Sequence, residues 1–287
     1  MSILDFFQSS KVNEMDVRIR NLEKLLEEKN TEIEQQNQKI HAILKQISKL
    51  GKRMNTIIDL SNKQAEPGGE GGAQYETSQE RVWSGSHGYR YVVHHANENW
   101  LETRVPTWEM LLESMPDVQS VLEMGCNIGA NLKALRHLRP ELAISGVEIN
   151  KPAVDMLLAD GFDGVRQGSI IDIELDQKFD LVFTRGVLIH INPDKLEQTM
   201  KNMAAHSNKY VLIYEHFDHE VTELEHYSRR VPEKEAGQGY QYWRDFSGLF
   251  HSFHPDWEIV REGVRMTVDA KPHNKGDMHW TIFRRNH

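Results

Sequence analysis

The stretch from Val121 to Leu135, VLEMGCNIGANLKAL, contains the residues best suited to hold a ligand. Glu123 lies near the end of an apolar run, Gly125 and Gly129 follow it, and a helical pattern comes next. Glycine permits a tight turn and a close approach of backbone to ligand, and a helix that starts there directs its free N–H groups at the site. The pattern therefore predicts a buried strand, a glycine turn and a helix that together form a nucleotide pocket.

The spacing of this turn distinguishes two kinds of nucleotide site. A dinucleotide fingerprint needs G-x-G-x-x-G, whose second glycine admits a pyrophosphate, and here that position is Asn127. Glu123 would repel a pyrophosphate and suits a cationic, amino-acid-bearing ligand. The pattern E-x-G-x-x-x-G resembles the first motif of class I S-adenosylmethionine-dependent methyltransferases, and a strand, turn and helix without a ligand is the alternative. The resemblance implies S-adenosylmethionine as cofactor, bound by Glu123, Gly125, Cys126, Asn127 and Gly129.

Later strands end at residues that fit the same pocket. Glu148 closes the apolar run from Ala143 to Val147 and lies 25 positions after Glu123. A carboxylate at roughly that offset accepts hydrogen bonds from ribose hydroxyls. The triplet Gly168-Ser169-Ile170, which precedes Asp172, combines polar and apolar groups that could hold the edge and the face of an adenine. A simple turn is the alternative. The remaining predicted cofactor residues are Ile149, Gly168, Ser169, Ile170 and Arg185.

Two further apolar runs indicate the fold. Residues 179–191 and 210–216 are typical of buried parallel strands that run out into loops. Strands that alternate with helical segments predict an α/β, Rossmann-like class I methyltransferase sheet, mostly parallel, with ligands at the carboxyl ends of its strands. We expect Trp257–Val260 and His279–Phe283 to be the closing antiparallel strands.

From Arg81 to Arg285 the chain resembles the pseudaminic acid biosynthesis-associated methylase family, class I methyltransferases linked to bacterial surface sugars. The matching segments are GVEIN at 146–150, FDLVFTRGVLIHINPD at 179–194, Arg244-Asp245-Phe246, and, upstream, Trp83, Gly85, Gly88 and Tyr91. The resemblance implies methyl transfer to a sugar or glycan in bacterial surface polysaccharide or nonulosonic acid biosynthesis. We expect Trp83 and Tyr91 to contact this acceptor.

The chemistry requires alignment of donor and acceptor, and a general base helps when the nucleophile is a sugar hydroxyl. O-methyl transfer is favoured over N-methyl transfer. His190 follows an apolar strand and precedes Asn192-Pro193, so we expect it in a loop over the pocket. Glu215 and His216, at the end of the next strand, are the other candidate bases. Ordinary polar capping of strand ends is the alternative for all three.

The segment from His226 to Phe253 combines cations with aromatic residues. Such a composition suits an acidic sugar or a sugar nucleotide. Tyr242 and Arg244 are the predicted acceptor contacts, with a structural ion pair as the alternative for Arg244.

The first part of the chain has a different pattern, since apolar residues recur at every seventh position. The first core position of each heptad is Val12, Ile19, Leu26, Ile33, Ile40, Ile47 and Met54. The second core position is Met15, Leu22, Lys29, Gln36, Ile43, Leu50 and Ile57, of which Lys29 and Gln36 are polar. This 3.5-residue repeat predicts a long parallel coiled coil that joins copies of the chain, with a dimer favoured over a trimer. A single helix lying on its own catalytic domain is the alternative. The sequence thus divides into a coiled-coil helix at 1–62, a Gly/Pro-rich tether at 63–78 and a methyltransferase domain at 79–287.

Composition limits the function further. The net charge of −9 argues against a nucleic-acid substrate. Cys126 is the only cysteine, which excludes an intramolecular disulfide and fits a reducing compartment. Among the 15 histidines, His216 and His219 are three apart, but zinc sites usually have two such pairs or add cysteines. Glu215 with Asp218 could offer carboxylates to a magnesium ion as the alternative, and we expect scattered, solvated histidines and no metal. No apolar run is long enough to span a bilayer. We expect a cytoplasmic protein, which could also associate peripherally with the inner face of the membrane.

A second class of function remains open, because the long helix could matter more than the enzyme. In that alternative the protein is a coiled-coil scaffold, or a chain-length or termination factor of glycan assembly. Methylation would then cap a lipid-linked glycan end, or would have been lost. Other glycan-assembly enzymes are the partners expected in that case.

Overall fold

The computed structural model describes residues 18–40, 75–95, 99–225 and 240–286, of which residues 224, 225 and 240 are described by their backbone alone. The chain divides into two compact units, Met1–Gln64 and Ala65–His287. The second unit contains every predicted site residue.

In the first unit, residues 18–40 form one helix, α1, which is roughly 35 Å long. All of its residues are exposed. The apolar positions Ile19, Leu26, Ile33 and Ile40, seven residues apart, are between 48 and 65% exposed. The other predicted coiled-coil positions, from Val12 to Met15 and from Ile43 to Ile57, lie outside the described residues, as does most of the tether.

The described part of the second unit begins at Tyr75, inside the predicted tether. Its helices are α2 (Ser78–Ser84), α3 (Ser86–His95), α4 (Trp100–Thr103), α5 (Val105–Leu112), α6 (Ala130–Leu138), α7 (Lys151–Ala159), α8 (Pro193–Ala205) and α9 (Phe246–Phe253), with a 3-10 helix at Leu188–His190. Its strands are β1 (Ser120–Met124), β2 (Ala143–Glu148), β3 (Val165–Gln167), β4 (Phe179–Arg185), β5 (Ser207–His216), β6 (Thr222–Glu225), β7 (Tyr240–Trp243), β8 (Trp257–Val264), β9 (Thr267–Val268) and β10 (Met278–Arg285).

The main sheet has the order β3-β2-β1-β4-β5-β10-β8-β9. The first five strands pair in parallel, and β10 pairs antiparallel with β5 and β8. The prediction of a mostly parallel, Rossmann-like sheet with an antiparallel last strand is confirmed. Because strand order reverses at β1, the carboxyl ends of β1, β2 and β4 meet at one edge, where such sheets bind ligands.

Both faces of the sheet are buried, as the continuous apolar runs predicted. Alternate residues of β4 enter opposite core layers: Leu181 and Phe183 pack on one side and Val182 on the other. On the first side lie Trp108 of α5 and Leu132 of α6. This two-sided burial makes the strand ends at the pocket edge rigid points of attachment.

A separate two-stranded sheet is formed by β6 and β7, which pair antiparallel. This hairpin follows β5, the position where the sequence placed an acceptor-binding insertion. Part of that insertion, residues 226–239 with Arg229, Arg230 and Lys234, lies outside the described residues. In the described part of the chain, no helix has the length and apolar character needed to cross a bilayer.

Candidate active site

The glycine turn after β1 has the geometry that its sequence predicted. Gly125 has φ +82°, Asn127 +45° and Gly129 +70°, so three of five consecutive residues are left-handed. A Cβ on Gly125 would lie 2.7 Å from Val187 Cγ1. The amides of Gly125 and Cys126 both donate to Val147 O, at 2.8 and 3.0 Å. The turn is therefore braced on β2, and glycine is needed at its first position.

Glu123 lies at the bottom of the pocket and is 2% exposed. Asn131 Nδ2 donates to its Oε1 at 2.6 Å, while Oε2 is buried without a hydrogen-bond partner among the described residues. Burial raises the pKa of Glu123 to about 8, against the opposing influence of Asn131, Arg104 and Arg185. A bound cation would relieve that desolvation and favour the carboxylate.

Glu148 ends β2 beside this turn. Its Oε2 accepts the amide of Asn127 at 2.7 Å, and its Oε1 accepts the amide of Asn150 at 2.8 Å. Burial raises its pKa. Each carboxylate oxygen has a further lone pair, so Glu148 can also accept hydrogen bonds from two hydroxyl groups of a ligand.

The pocket lies between two walls. We call the first the sheet wall, which consists of Glu123, Gly125, Glu148 and Arg185 at the strand ends, with the loop Gly168–Ile170. We call the second the helix wall, which consists of pocket-lining side chains of α2 and α3: Glu80, Trp83, Tyr91 and His95.

The helix wall is aromatic where it meets the loop after β4. The Trp83 ring lies 4.6 Å from the His190 ring and 5.3 Å from the Tyr91 ring, measured between centroids. Tyr91 and His95 are 4.1 Å apart by the same measure. His190 belongs to the 3-10 helix, and it also lines the pocket. Three of the predicted residues, Trp83, Tyr91 and His190, are thus brought together.

Glu215 and His216 are not among the residues that line the pocket. The Oε1 of Glu215 accepts the amide of Val187 at 3.0 Å, so this carboxylate supports the loop that leads to the 3-10 helix. Burial raises the pKa of Glu215 to about 7, and hydrogen bonds from the Val187, Leu188 and Ile189 amides oppose that rise. The ring of His216 stacks on that of Trp243, with 5.3 Å between centroids.

Tyr242 and Arg244 also lie outside the lining of the pocket, on the hairpin. Arg244 is half-buried, 5.6 Å from the Tyr242 ring and 6.0 Å from the Phe246 ring. Burial lowers its pKa, and its Nε has no hydrogen-bond partner among the described residues. A desolvated guanidinium of this kind is suited to an anionic group.

Of the predicted cofactor residues, all but Gly129 line the pocket: Glu123, Gly125, Cys126, Asn127, Glu148, Ile149, Gly168, Ser169, Ile170 and Arg185. Gly129 instead packs against Leu157, where a Cβ would lie 2.4 Å from Cδ2.

Sequence reasoning missed Glu80, Arg104, Asn131 and Asn150, which also line the pocket. For Asn150 a local signal existed, since it is a helix-capping residue two positions after Glu148 with Pro152 following. Asn131 lies in the first turn of α6, eight positions after Glu123, and a pairing of the two was not evident from spacing. Arg104 reaches the pocket only through the packing of α4 and α5, which no local pattern reveals.

Residues 92–256 match the family model of a methyltransferase domain. The chain belongs to this family. The matched span includes Glu123, Glu148 and His190. None of the curated proteins compared with the chain matches it.

Solved structures show the same fold. An S-adenosylmethionine-dependent methyltransferase from Clostridium acetobutylicum has 11% sequence identity and a TM-score of 0.51, covering 69% of this chain and 99% of its own. Magnesium protoporphyrin IX methyltransferase from Synechocystis, solved with bound S-adenosylmethionine, has 13% identity and a TM-score of 0.50, covering 74% and 99%. At these identities the likeness concerns the fold alone.

The pocket residues fit the methyl donor that this family and its fold imply. Glu123 Oε2 is a buried acceptor that a cation can satisfy, and Glu148 has lone pairs for ribose hydroxyls. Gly125, the first residue of the turn after β1, lines the pocket with backbone alone. S-adenosylmethionine is the cofactor of this methyltransferase.

Proposed function

We propose that the protein transfers a methyl group from S-adenosylmethionine to a hydroxyl of a sugar or glycan, in the cytoplasm, during synthesis of a bacterial surface polysaccharide or nonulosonic acid. The observation that carries this proposal is the pocket itself. It places the acidic residues of the sheet wall opposite an aromatic helix wall, with His190 beside Trp83. The resemblance of residues 81–285 to methylases linked to surface sugars supports the choice of acceptor.

The sheet wall is the donor side. When bound, S-adenosylmethionine supplies an electrophilic methyl group on a positively charged sulfur. Glu123 faces a pocket shared with Arg104 and Arg185, so this end can hold both the ammonium and the carboxylate of an amino acid. Glu148 would hold the ribose, and the loop Gly168–Ile170 would line the adenine.

The helix wall is the acceptor side. Trp83 and Tyr91 offer ring faces and edges within one pocket, and sugar rings pack their C–H faces against aromatic surfaces of this kind. Glu80 and His95 are the polar members of this wall. Its aromatic surface suits the C–H face of a sugar ring.

His190 is the proposed general base. It lines the pocket at the boundary of the two walls, where an acceptor hydroxyl next to the donor would lie. Its imidazole would take the hydroxyl proton as a lone pair of the acceptor oxygen forms the new C–O bond. The methyl–sulfur bond of the donor would break in the same step, with its electron pair passing to sulfur and S-adenosylhomocysteine as the leaving group. Glu215 holds the Val187 amide below it, which keeps the 3-10 helix in place.

Arg244 is the proposed recognition residue for an acidic group of the acceptor, such as a sugar carboxylate or a phosphate. It lies at the end of β7, and Trp243 before it stacks on His216 of β5. A half-buried guanidinium without an acidic partner among the described residues gains energy when an anion approaches.

The test is incubation of the full chain with methyl-labelled S-adenosylmethionine and a panel of free, nucleotide-activated and lipid-linked sugars, read by mass spectrometry. The proposal expects one labelled methyl on a sugar oxygen. Label on a sugar nitrogen would contradict O-transfer. Label only on non-sugar acceptors offered in parallel would contradict the acceptor class.

The exposed apolar residues of α1 support a second part of the proposal, which is that copies of the chain associate through this helix. Leu22, Leu26 and Ile33 are 54 to 66% exposed, and burial against the same stripe of a second copy would remove that surface from water. Lys29 pairs with Glu32 of its own helix, so its charge can stay at the edge of such an interface.

Light scattering on the full chain should therefore give a multiple of 33.3 kDa, with a dimer favoured. Replacing Leu26 with lysine should give the monomer, whereas Lys39→Ala on the same helix should not change the mass. A monomeric wild-type chain would exclude this association. Several sites on one assembly would raise the effective concentration at the end of a lipid-linked or polymeric glycan, which keeps such an end as the runner-up acceptor.

A further inference from the structure

We infer that Asn150 couples the donor side of the pocket to the acceptor side: it holds the helix wall against the ribose-binding end of β2, so that donor occupancy sets the position of Trp83. This inference rests on the proposed function, because it takes Glu148 as the ribose-binding residue. Asn150 thereby acts as a positioning residue through which binding at one wall favours binding at the other.

The hydrogen bonds of Asn150 reach both walls. Its backbone amide donates to Glu148 Oε1 at 2.8 Å. Its side-chain Nδ2 donates to the carbonyl of Trp83 at 3.0 Å and to that of Gly85 at 3.4 Å. Its Oδ1 caps α7 by accepting the Ala153 amide at 3.4 Å. The residue is 2% exposed, so these bonds are shielded from water.

Helix α2 depends on contacts of this kind. It has seven residues, too few for a helix that is stable without tertiary contacts. The carbonyls near its C-terminus lack partners within the helix, and Asn150 supplies a donor to two of them. At the other end, Glu80 and Thr77 form a reciprocal cap. Asn150 therefore connects the end of α2 that carries Trp83 to the end of β2. Beside this connection, Val92 of α3 packs on Ile128 and Ala153.

At Gly88, the backbone of α3 lies close to the hydrogen bond between Asn150 and the Trp83 carbonyl. A Cβ at Gly88 would lie 1.8 Å from the carbonyl oxygen of Trp83 and 2.7 Å from Asn150 Nδ2. The backbone of α3 thus packs directly on the hydrogen-bonded group. There is no room for the helix wall to shift inward without a change at Asn150.

A ligand that hydrogen-bonds to Glu148 restrains the carboxylate that also holds the Asn150 amide. Asn150 passes that restraint to α2, whose Trp83 ring lies 4.6 Å from the His190 ring. Donor binding then stabilises the helix wall in the arrangement that places Trp83 beside His190. Coupling of this kind is reciprocal, so loosening the wall must also weaken donor binding.

The experiment is hydrogen exchange of the full chain, with and without S-adenosylhomocysteine as the probe, in wild type and in Asn150→Ser. Serine is an equally good helix cap, but it lacks the amide donor. Without ligand, the variant should exchange residues 78–95 about tenfold faster, as expected for the loss of one to two hydrogen bonds. The probe should slow exchange at 78–95 in wild type, and its Kd should rise by up to about tenfold in the variant.

Asn192→Ser is the matched control. Asn192 caps α8 through the Asp194 amide and likewise has a proline in the first turn of its helix. This variant should leave exchange at 78–95 unchanged. Gly88→Ala is the second test, since its Cβ would force the Trp83 carbonyl and Asn150 Nδ2 apart while the Asn150 Oδ1 that caps α7 is retained, and it should reproduce the faster exchange at 78–95.

Unchanged exchange at 78–95 in ligand-free Asn150→Ser overturns the inference. If Asn150→Ser also raises exchange in α7 to the same extent, the Gly88→Ala variant decides between the two explanations. Unchanged exchange at residues 78–95 in Gly88→Ala then overturns the inference. The coupling is also overturned if the probe binds wild type but leaves exchange at 78–95 unaltered. Failure of the proposed function would look different: the probe would not bind wild type at all, while the ligand-free comparison would still report on Asn150.

Discussion

The two walls of the pocket are built in different ways. The sheet wall stands on strands that are buried on both faces, and its carboxylates, Glu123 and Glu148, are held by hydrogen bonds within the protein. The helix wall stands on short helices that reach the sheet through side-chain contacts such as that of Asn150. The difference supports the proposal that the sheet wall binds the donor and that the helix wall binds the acceptor.

The largest expected effect is a fall in kcat when the proposed base, His190, is replaced. His190→Gln should lower kcat by about 100-fold or more, because general base catalysis contributes at least that much, while the Kd of S-adenosylmethionine should change by less than about threefold. Initial rates with the acceptor found by mass spectrometry, together with donor titrations, check both values.

Glu215→Gln is the matched comparison, since the amide oxygen can still accept from Val187. We expect its kcat to stay within about fivefold of wild type, because Glu215 positions the loop and does not take the proton. If Glu215→Gln were the more damaged of the two variants, the base would have to be assigned to Glu215.

The next effect tests the sheet wall alone. Glu148→Ala removes the proposed ribose acceptor and should raise the Kd of S-adenosylhomocysteine by about 100-fold, since hydrogen bonds to a charged group contribute about 1.5–3 kcal/mol each. Calorimetric titration measures it, and a thermal melt checks that the variant is folded. The exposed Glu141→Ala should bind like wild type. A Kd unchanged by Glu148→Ala would remove the ribose from this position.

A smaller effect tests the helix wall. Trp83→Ala should raise the KM of the sugar acceptor by about tenfold through lost ring packing, with the donor Kd within about threefold. The hydrogen bond from Asn150 Nδ2 to residue 83 should persist, because it is accepted by the backbone carbonyl. Trp83→Phe should restore part of the acceptor affinity. Equal losses for donor and acceptor would abolish the division of the pocket into two walls.

The smallest effect is a pH dependence of donor binding. The pKa of Glu123 is about 8 without ligand, and a bound cation lowers it. Below pH 8 binding therefore releases a proton, so affinity should rise with pH and level off above pH 8, by about tenfold in total for a pKa that the bound cation lowers by about one unit. Titrations from pH 6 to 9 should show this component in wild type but not in Glu123→Gln. Identical profiles for the two proteins would assign the dependence to other groups.

The predictable parts of the site were local ones. The glycine turn, the acids at the strand ends and the parallel sheet follow from spacing and apolar runs, so Glu123 and Glu148 were found from the sequence. Arg104 and Asn131 were missed because tertiary packing brings them to the pocket. Glu215 was a candidate base because it ends a strand, but its carboxylate accepts the amide of Val187 and lies outside the pocket lining. The direction of a side chain at a strand end depends on the pleat.

The central claim is that the sheet wall binds S-adenosylmethionine, and calorimetric titration of the full chain tests it most directly. We predict one site per chain with a Kd below about 0.1 mM for the donor or its demethylated product, in the range usual for enzyme substrates. The same titration of Glu148→Ala should show much weaker binding. Absence of binding heat with wild type at millimolar ligand, confirmed by equilibrium dialysis, would contradict the account.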